Sequence, residues 1–206
     1  PQPAPDGFYS GNTEVVPHIG VLRNYYAWEW GDALFVVIDP YKTKTAELAD
    51  RHYFINPGSD KALALGLLHV IFRDGLHDPD YLNRYAEGGE DLEQLVRDYT
   101  PDAVAKWTGL DAAEIEDLAR EYSNTRPSVI RLNYGVQRNP NGGTAVKAIA
   151  MLPIVTGAWR ELGGGMQLST SQTFALNRAG LEMAELQQKS ELGREARLVN
   201  MSELGK

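Results

Sequence analysis

The chain has 206 residues, enough for one domain with a sizeable core, or one and a half. Its 28 acidic and 20 basic side chains leave a net charge of −8 and a pI near 5.0, which argues against a nucleic-acid-binding or anionic-membrane surface. With no cysteine, disulfides, thiolate metal sites and any iron–sulfur cluster held by this chain are excluded, and no apolar run approaches the ~20 residues needed to span a bilayer.

Residues 1–12, PQPAPDGFYSGN, are rich in proline and glycine and predict irregular chain. They carry neither a signal peptide nor an initiating methionine. The sequence therefore reads as a piece of a longer protein, and its compartment, cytoplasmic or periplasmic, stays open. Alternating aromatics from Tyr25 to Trp30, followed by Gly31-Asp32, have the pattern of two strands joined by a tight turn. The apolar run Ala33–Ile38 is too short for a helix and rich in β-branched residues, which predicts a buried strand of a parallel sheet.

That strand stops at Asp39-Pro40, because proline has no N–H to continue a ladder. In an open α/β sheet, ligands bind beyond the carboxyl ends of the strands. Asp39 thus stands where a carboxylate accepts hydrogen bonds from a ribose or a guanine. Thr43 and Thr45 add hydroxyls there, and Lys42 and Lys44 add positive charge. A second short strand, Tyr53–Ile55, delivers Pro57-Gly58-Ser59-Asp60 to the same edge. The plainer account has Asp39 opening a turn and Asp60 capping the next helix.

Beyond Asp60 the pattern is helical. Ala62, Leu65, Leu68, His69 and Phe72 share one face, with Asp60 as N-cap and Gly75 as terminator. On that face His69 reads as a core histidine satisfied by a hydrogen bond. Asp78-Pro79 starts a second helix in N-cap and N1 order, Glu90–Tyr99 forms a third, and Thr100-Pro101 begins a short fourth that carries Trp107 and ends at Gly109. Asp111 with Glu114 has capping-box spacing for a fifth, Ala112–Tyr122. The many acidic residues on these helices read as a solvated face.

Ser128–Leu132 predicts another strand, ending in Asn133-Tyr134-Gly135-Val136-Gln137-Arg138. Gly135 permits close backbone approach to a ligand. Gln137 offers an amide donor and acceptor, with a surface turn as the alternative. Asn141-Gly142-Gly143 opens a helix to about Trp159 that Pro153 should kink, and Leu162–Gly165 reads as a flexible turn without the Gly-Lys-[Ser/Thr] of a P-loop.

Three ordered strings carry a resemblance: VVIDPYKTKTAELADRHYFINPGSDKALALG, RPSVIRLNYGVQRNPNGG and AIAMLPIVTGAWRELGGGMQLS. Over about residues 37–206 the chain resembles the molybdopterin oxidoreductases of the dimethyl sulfoxide reductase, formate dehydrogenase and nitrate reductase type. The resemblance implies a molybdopterin guanine dinucleotide cofactor, with Asp39, Thr43, Thr45, Gly58, Asp60, Gly135 and Gln137 as its binding residues. Tyr41 departs from the arginine usual after the motif's proline. The segment YYAWEWGDALFVVID is instead similar to a hairpin of calcineurin-like and alkaline-phosphatase-D-like metallophosphoesterases. That second likeness suggests a chimera joined near Val37–Tyr41. The strings expected for the phosphoesterase metal ligands are absent, and the four histidines, His18, His52, His69 and His77, are scattered.

The expected fold is α/β: a partial Rossmann-like parallel sheet, with strands near 34–38, 53–55 and 129–133, flanked by helices and preceded by the N-terminal aromatic hairpin. The expected organisation is an irregular segment and hairpin over 1–36, a dinucleotide-binding half-domain over 37–138, and the start of a following α/β segment over 139–206. The family's metal-ligand segment has no match here, so a cofactor-binding part that is not catalytic alone is expected. A metallophosphoesterase and a non-catalytic partner-binding module are the alternatives. The expected partners are the remainder of an oxidoreductase or a second subunit. Apolar surface around Leu34–Ile38 and Ala148–Trp159 should be exposed and promote self-association.

Overall fold

In a computed structural model the structure describes residues 34–168, 176–187 and single positions up to 194. The aromatic hairpin expected at 25–32 lies outside the described residues. The chain divides into a unit ending at Ser169 and another from Thr170 to Lys206. The second holds two short helices, Arg178–Glu182 and Ala184–Gln187.

In the first unit, β1 (Val36–Ile38) leads through the one-turn helix α1 (Lys44–Glu47) to β2 (Arg51–Tyr53). The two strands are parallel, with Val36 opposite Arg51 and Ile38 opposite Tyr53. The second strand therefore begins two residues before the expected Tyr53. Its polar residues Arg51 and His52 gave no strand signal, and the apolar Ile55 drew the expected boundary towards its own buried position.

Next comes α2 (Asp60–Arg73). It is not the one-faced helix its spacing suggested. Leu63 to Leu68, Val70 and Ile71 are all buried, the pattern of a central helix enclosed on most sides. Gly75 sits at φ 67°, in the left-handed region that glycine enters without penalty. Its N–H bonds to Phe72 O at 3.1 Å while Leu76 N–H bonds to Ile71 O at 2.8 Å. This Schellman pair satisfies the helix's last carbonyls. His69 Nδ1 lies 3.0 Å from Val96 O, the bonded core histidine expected.

Helices α3 (Pro79–Tyr85), α4 (Gly89–Leu95) and α5 (Pro101–Thr108) follow, then α6 (Ala112–Asn124). The starts of α3, α5 and α6 follow the predicted capping chemistry, whereas α4 begins after Gly88 without a side-chain cap and gives way at Val96 to a 3₁₀ turn, short of the expected Tyr99. Asp78 accepts from Tyr81 N–H at 2.8 Å, Thr100 accepts from Ala103 N–H at 3.3 Å, and Asp111 and Glu114 form the reciprocal capping box.

β3 (Val129–Leu132) is parallel to β4 (Gly165–Leu168), and α7 (Gly142–Val155) connects them. Two corrections follow. Among the described residues β3 does not join β1 and β2, so the single sheet expected is two separate two-stranded sheets. The expected flexible turn gives way at Gly165 to a strand, which the run of three glycines and the short GMQL string concealed. The predicted helix to Trp159 also stops at Val155, before Gly157 in the left-handed region and a 3₁₀ turn over Ala158–Arg160.

One core runs through these elements. Tyr53 and Leu132 from the strands and Ile55 just beyond β2 join Leu68, Ile71, Val104, Ile115, Ile149 and Val155 from the helices. Gly66 of α2 faces Val104 of α5 so closely that an added Cβ would lie 2.9 Å from a valine methyl. The expected exposure is therefore half right. Leu34 and Ile38 are 41% and 40% exposed. Ala148, Ile149, Leu152 and Val155 are buried in the core, leaving only Trp159 of that segment largely open.

Candidate nucleotide-binding edge

Because β1 and β2 are parallel, the chain leaves both at the same edge. Asp39 N–H donates to Tyr53 O at 3.2 Å, which carries the pairing one step past β1. Its Oδ1 accepts Tyr41 N–H at 2.8 Å. For that oxygen the turn-opening role holds. His52 Nε2 lies 3.0 Å from the Asp39 carbonyl oxygen, and the His52 ring rests against Phe54 with centroids 4.0 Å apart.

Asp60 is the first residue of α2, and Ser59 occupies the N-cap position without a side-chain cap bond. The capping role expected of Asp60 thus falls one residue earlier, because the Asn56–Ser59 turn, closed by Ser59 N–H to Asn56 O at 3.1 Å, sets the helix entry. Burial pushes the Asp60 carboxyl above its ordinary value; its own backbone N–H opposes that rise and the charge of Asp39 adds to it. The two acidic residues predicted from separate strand ends are therefore close enough to feel each other.

Thr43 Oγ1 caps α1 by accepting Ala46 N–H at 3.2 Å, and Thr45 is half-buried within that turn. A hydroxyl both accepts and donates, so capping uses one of its two functions.

The turn after β3 reaches the same region. Gly58 adopts φ 80°, and a Cβ there would lie 3.3 Å from Asn139 Oδ1. Asn139 Nδ2 in turn donates to Gly135 O at 3.4 Å, so one amide side chain touches both predicted glycines. Gly135 itself has φ −54°, which any residue adopts, and a Cβ added there would meet nothing within 4 Å. Space is open in front of it. Gln137 projects exposed from a 3₁₀ turn over Val136–Arg138. Its backbone is pressed by α7, where a Cβ on Gly142 would come within 2.5 Å of Gln137 O.

The structure thus brings Asp39, Gly58 and Asp60 to one edge and links Gly58 to Gly135 through Asn139. His52 and Asn139 escaped sequence reasoning as members of this region, since neither sits in a periodic pattern. Among the described residues no group of three or more acidic or histidine side chains is assembled to hold a metal.

Parallel strand ends followed by acidic residues and glycine-bearing turns are the setting in which open α/β folds take up ligands. The sequence places the chain more narrowly. Residues 12–206 match the Molybdopterin oxidoreductase family, and the chain belongs to that family. It is 41% identical over 174 residues to "Probable oxidoreductase YoaE" of Bacillus subtilis, covering 84% of this chain and 25% of that protein. It is 34% identical over 125 residues to formate dehydrogenase H of Escherichia coli, covering 61% of this chain and 18% of that protein. Among solved structures, acetylene hydratase from Pelobacter acetylenicus superposes with a TM-score of 0.63 at 30% identity, covering 68% of this chain and 19% of that one. The chain therefore spans a quarter or less of the length of these relatives.

The family match also corrects the chimera suggested by the aromatic hairpin. It begins at residue 12 and runs unbroken through Val37–Tyr41, so one family accounts for both sides of the supposed junction. The likeness to metallophosphoesterases rested on a short aromatic pattern that strands of many folds share.

Proposed function

We propose that this chain supplies part of the binding site for a pterin guanine dinucleotide in a larger molybdopterin oxidoreductase. Asp39, Thr43, Thr45, Gly58, Asp60, Gly135 and Gln137 hold the dinucleotide on this reading. The observation that carries it is the parallel pairing of β1 and β2, which brings Asp39 and, through the Asn56–Ser59 turn, Asp60 to one edge. Asp60 is kept half-buried there, and burial raises its carboxyl, a cost that folding alone does not require. The open space in front of Gly135 fits a ligand for the same reason, since no neighbour and no backbone angle demands glycine there.

The names of the relatives support a shared cofactor role over a shared substrate. Formate dehydrogenase, dimethyl sulfoxide reductase, nitrate reductase and acetylene hydratase act on different molecules, yet all match this span. When bound, the cofactor supplies the redox-active molybdenum. The residues of this chain bind and orient it, and the chemistry falls to other parts of the oxidoreductase, its expected partner.

Guanine presents N1–H and the exocyclic amine as two adjacent donors, and one carboxylate accepts both. Adenine offers an unprotonated N1 there and leaves the carboxylate unsatisfied. We assign the guanine to Asp60 and the ribose to Asp39 at its strand end. Charge-assisted hydrogen bonds of about 1.5–3 kcal/mol each give an expected preference of roughly tenfold or more for GDP over ADP. Asp60→Asn should erase that preference, and Asp39→Asn should weaken both nucleotides alike. Calorimetric titration of the wild-type chain and both variants tests it; equal or absent binding of the two nucleotides by wild type sinks the reading.

A further inference from the structure

We infer that His52 is the positioning residue of the nucleotide edge, holding Asp39 in place from the neighbouring strand. The inference rests on the nucleotide reading above and adds to it a residue that touches no ligand. His52 stands opposite Val37 in the parallel register, and its Nε2 reaches forward to the Asp39 carbonyl oxygen at 3.0 Å. A carbonyl only accepts, so Nε2 is the ring nitrogen that carries a hydrogen in this contact.

Why a side chain is needed there follows from the next residue. Pro40 has no N–H, so the backbone ladder cannot secure the chain beyond Asp39. Asp39 is instead held at three points: its N–H on Tyr53 O, its carbonyl on His52, and its Oδ1 on Tyr41 N–H. The first is ordinary ladder pairing and the third is a local turn. Among the described residues only the His52 bond ties the peptide plane after Asp39 to β2, and beyond that plane hangs Tyr41, whose N–H engages the Asp39 carboxylate.

The ring itself is oriented by two contacts, the Nε2 bond and Phe54, which lies against it at 4.0 Å between centroids. Its Nδ1 is buried with no hydrogen-bond partner. An unpaired buried nitrogen is unfavourable. It persists here because the Nε2 contact and the Phe54 contact together orient the imidazole.

The test uses the 206-residue chain with two variants. His52→Phe keeps a ring against Phe54 and removes the donor. His52→Gln keeps an N–H donor. Amide hydrogen exchange at Tyr41, the turn donor on Asp39, reads the positioning directly and needs no ligand. We expect His52→Phe to speed that exchange about tenfold and to weaken GDP and ADP alike by about tenfold, the loss of roughly one hydrogen bond. The GDP-to-ADP ratio should stay as in wild type, and His52→Gln should restore both readouts.

Unchanged exchange at Tyr41 in a folded His52→Phe protein, beside a wild type that prefers guanine, overturns this inference alone. Faster exchange beside a wild type that binds neither nucleotide overturns the nucleotide reading and, with it, the role given to His52. A change in the GDP-to-ADP ratio also overturns it, because His52 would then act on the base and not through Asp39. Should His52→Phe fail to fold, long-range proton–nitrogen NMR of wild type decides. Hydrogen on Nε2 supports the assignment, and hydrogen on Nδ1 refutes it.

Discussion

Helix α2 and the edge made by β1 and β2 are neighbours in sequence and opposites in construction. In α2, Leu68, Val70 and Ile71 are completely buried. In β1 no residue is buried, Ile38 is 40% exposed, and beyond β2 Phe54 is 54% exposed. The helix packs on most of its surface, whereas the edge leaves apolar side chains open beside Asp39. The difference teaches where stability and function are lodged. Burying a large aliphatic side chain contributes about 1.5–3 kcal/mol, so α2 can sustain an edge that buries little of its own.

The strongest way to break this contrast is to hollow out the helix. Ile71→Ala should cost about 2–5 kcal/mol, the range for fully buried aliphatic truncations, read as a fall in the urea midpoint. A loss below 1 kcal/mol would place the stability elsewhere. Gly142→Ala comes next, at about 1–3 kcal/mol, because its Cβ would meet the Gln137 backbone at 2.5 Å. It should also shift the amide resonances of Val136–Arg138, and silence there would separate Gln137 from α7.

A smaller effect belongs to the outer surface of the helices. Arg73 and Arg120 both bind Asp74 and Glu116, at 2.7–3.0 Å. Arg73 foremost, and Arg120 after it, hold the Glu116 carboxyl below its ordinary 4.5. A group depressed in the folded state stabilises above its unfolded value and loses that contribution as pH falls through the folded one. Glu116→Gln should therefore lower the melting temperature at neutral pH, a loss of stability of no more than about 1 kcal/mol because solvent screens the pairs. The gap from wild type should close as the pH drops below 4.5.

The smallest change should have the opposite sign. Asp60 is raised above its ordinary 3.8, so its contribution is fully present below that pH and is lost as pH rises through the folded value. Asp60→Asn should thus melt slightly higher than wild type at pH 7, with the gain vanishing towards pH 3.8. The same substitution is expected to lose guanine preference. A variant that gained neither stability nor indifference to the base would return Asp60 to the role of an ordinary helix-end residue.

The helices were legible in the sequence because their ends are written in local chemistry. Asp78-Pro79, Thr100-Pro101 and the Asp111/Glu114 pair need only near neighbours to act. Strand partners were not legible, since pairing depends on residues far apart in the chain. Nothing in GMQL announces that Gly165 pairs with Val129, and nothing in Arg51-His52 announces a strand. At the candidate site, Asp39 and Asp60 stand out in the sequence because each follows a strand. Asn139 was missed because its importance is spatial: it touches Gly58 across 81 positions of sequence, 139 − 58.

The connection between β1 and β2 has one further consequence. Only residues 39–50 lie between Ile38 and Arg51, and their sole helix is the single turn Lys44–Glu47. A parallel crossover needs about a dozen residues to bring the chain back to the start of its neighbour, so this one has no slack. The longer return between β3 and β4 runs through a full helix, Gly142–Val155. In a library of single-residue deletions, every position from 39 to 50 should prove intolerant, while insertions are accepted. Variation in length among natural versions of this segment should accordingly run in one direction, towards longer.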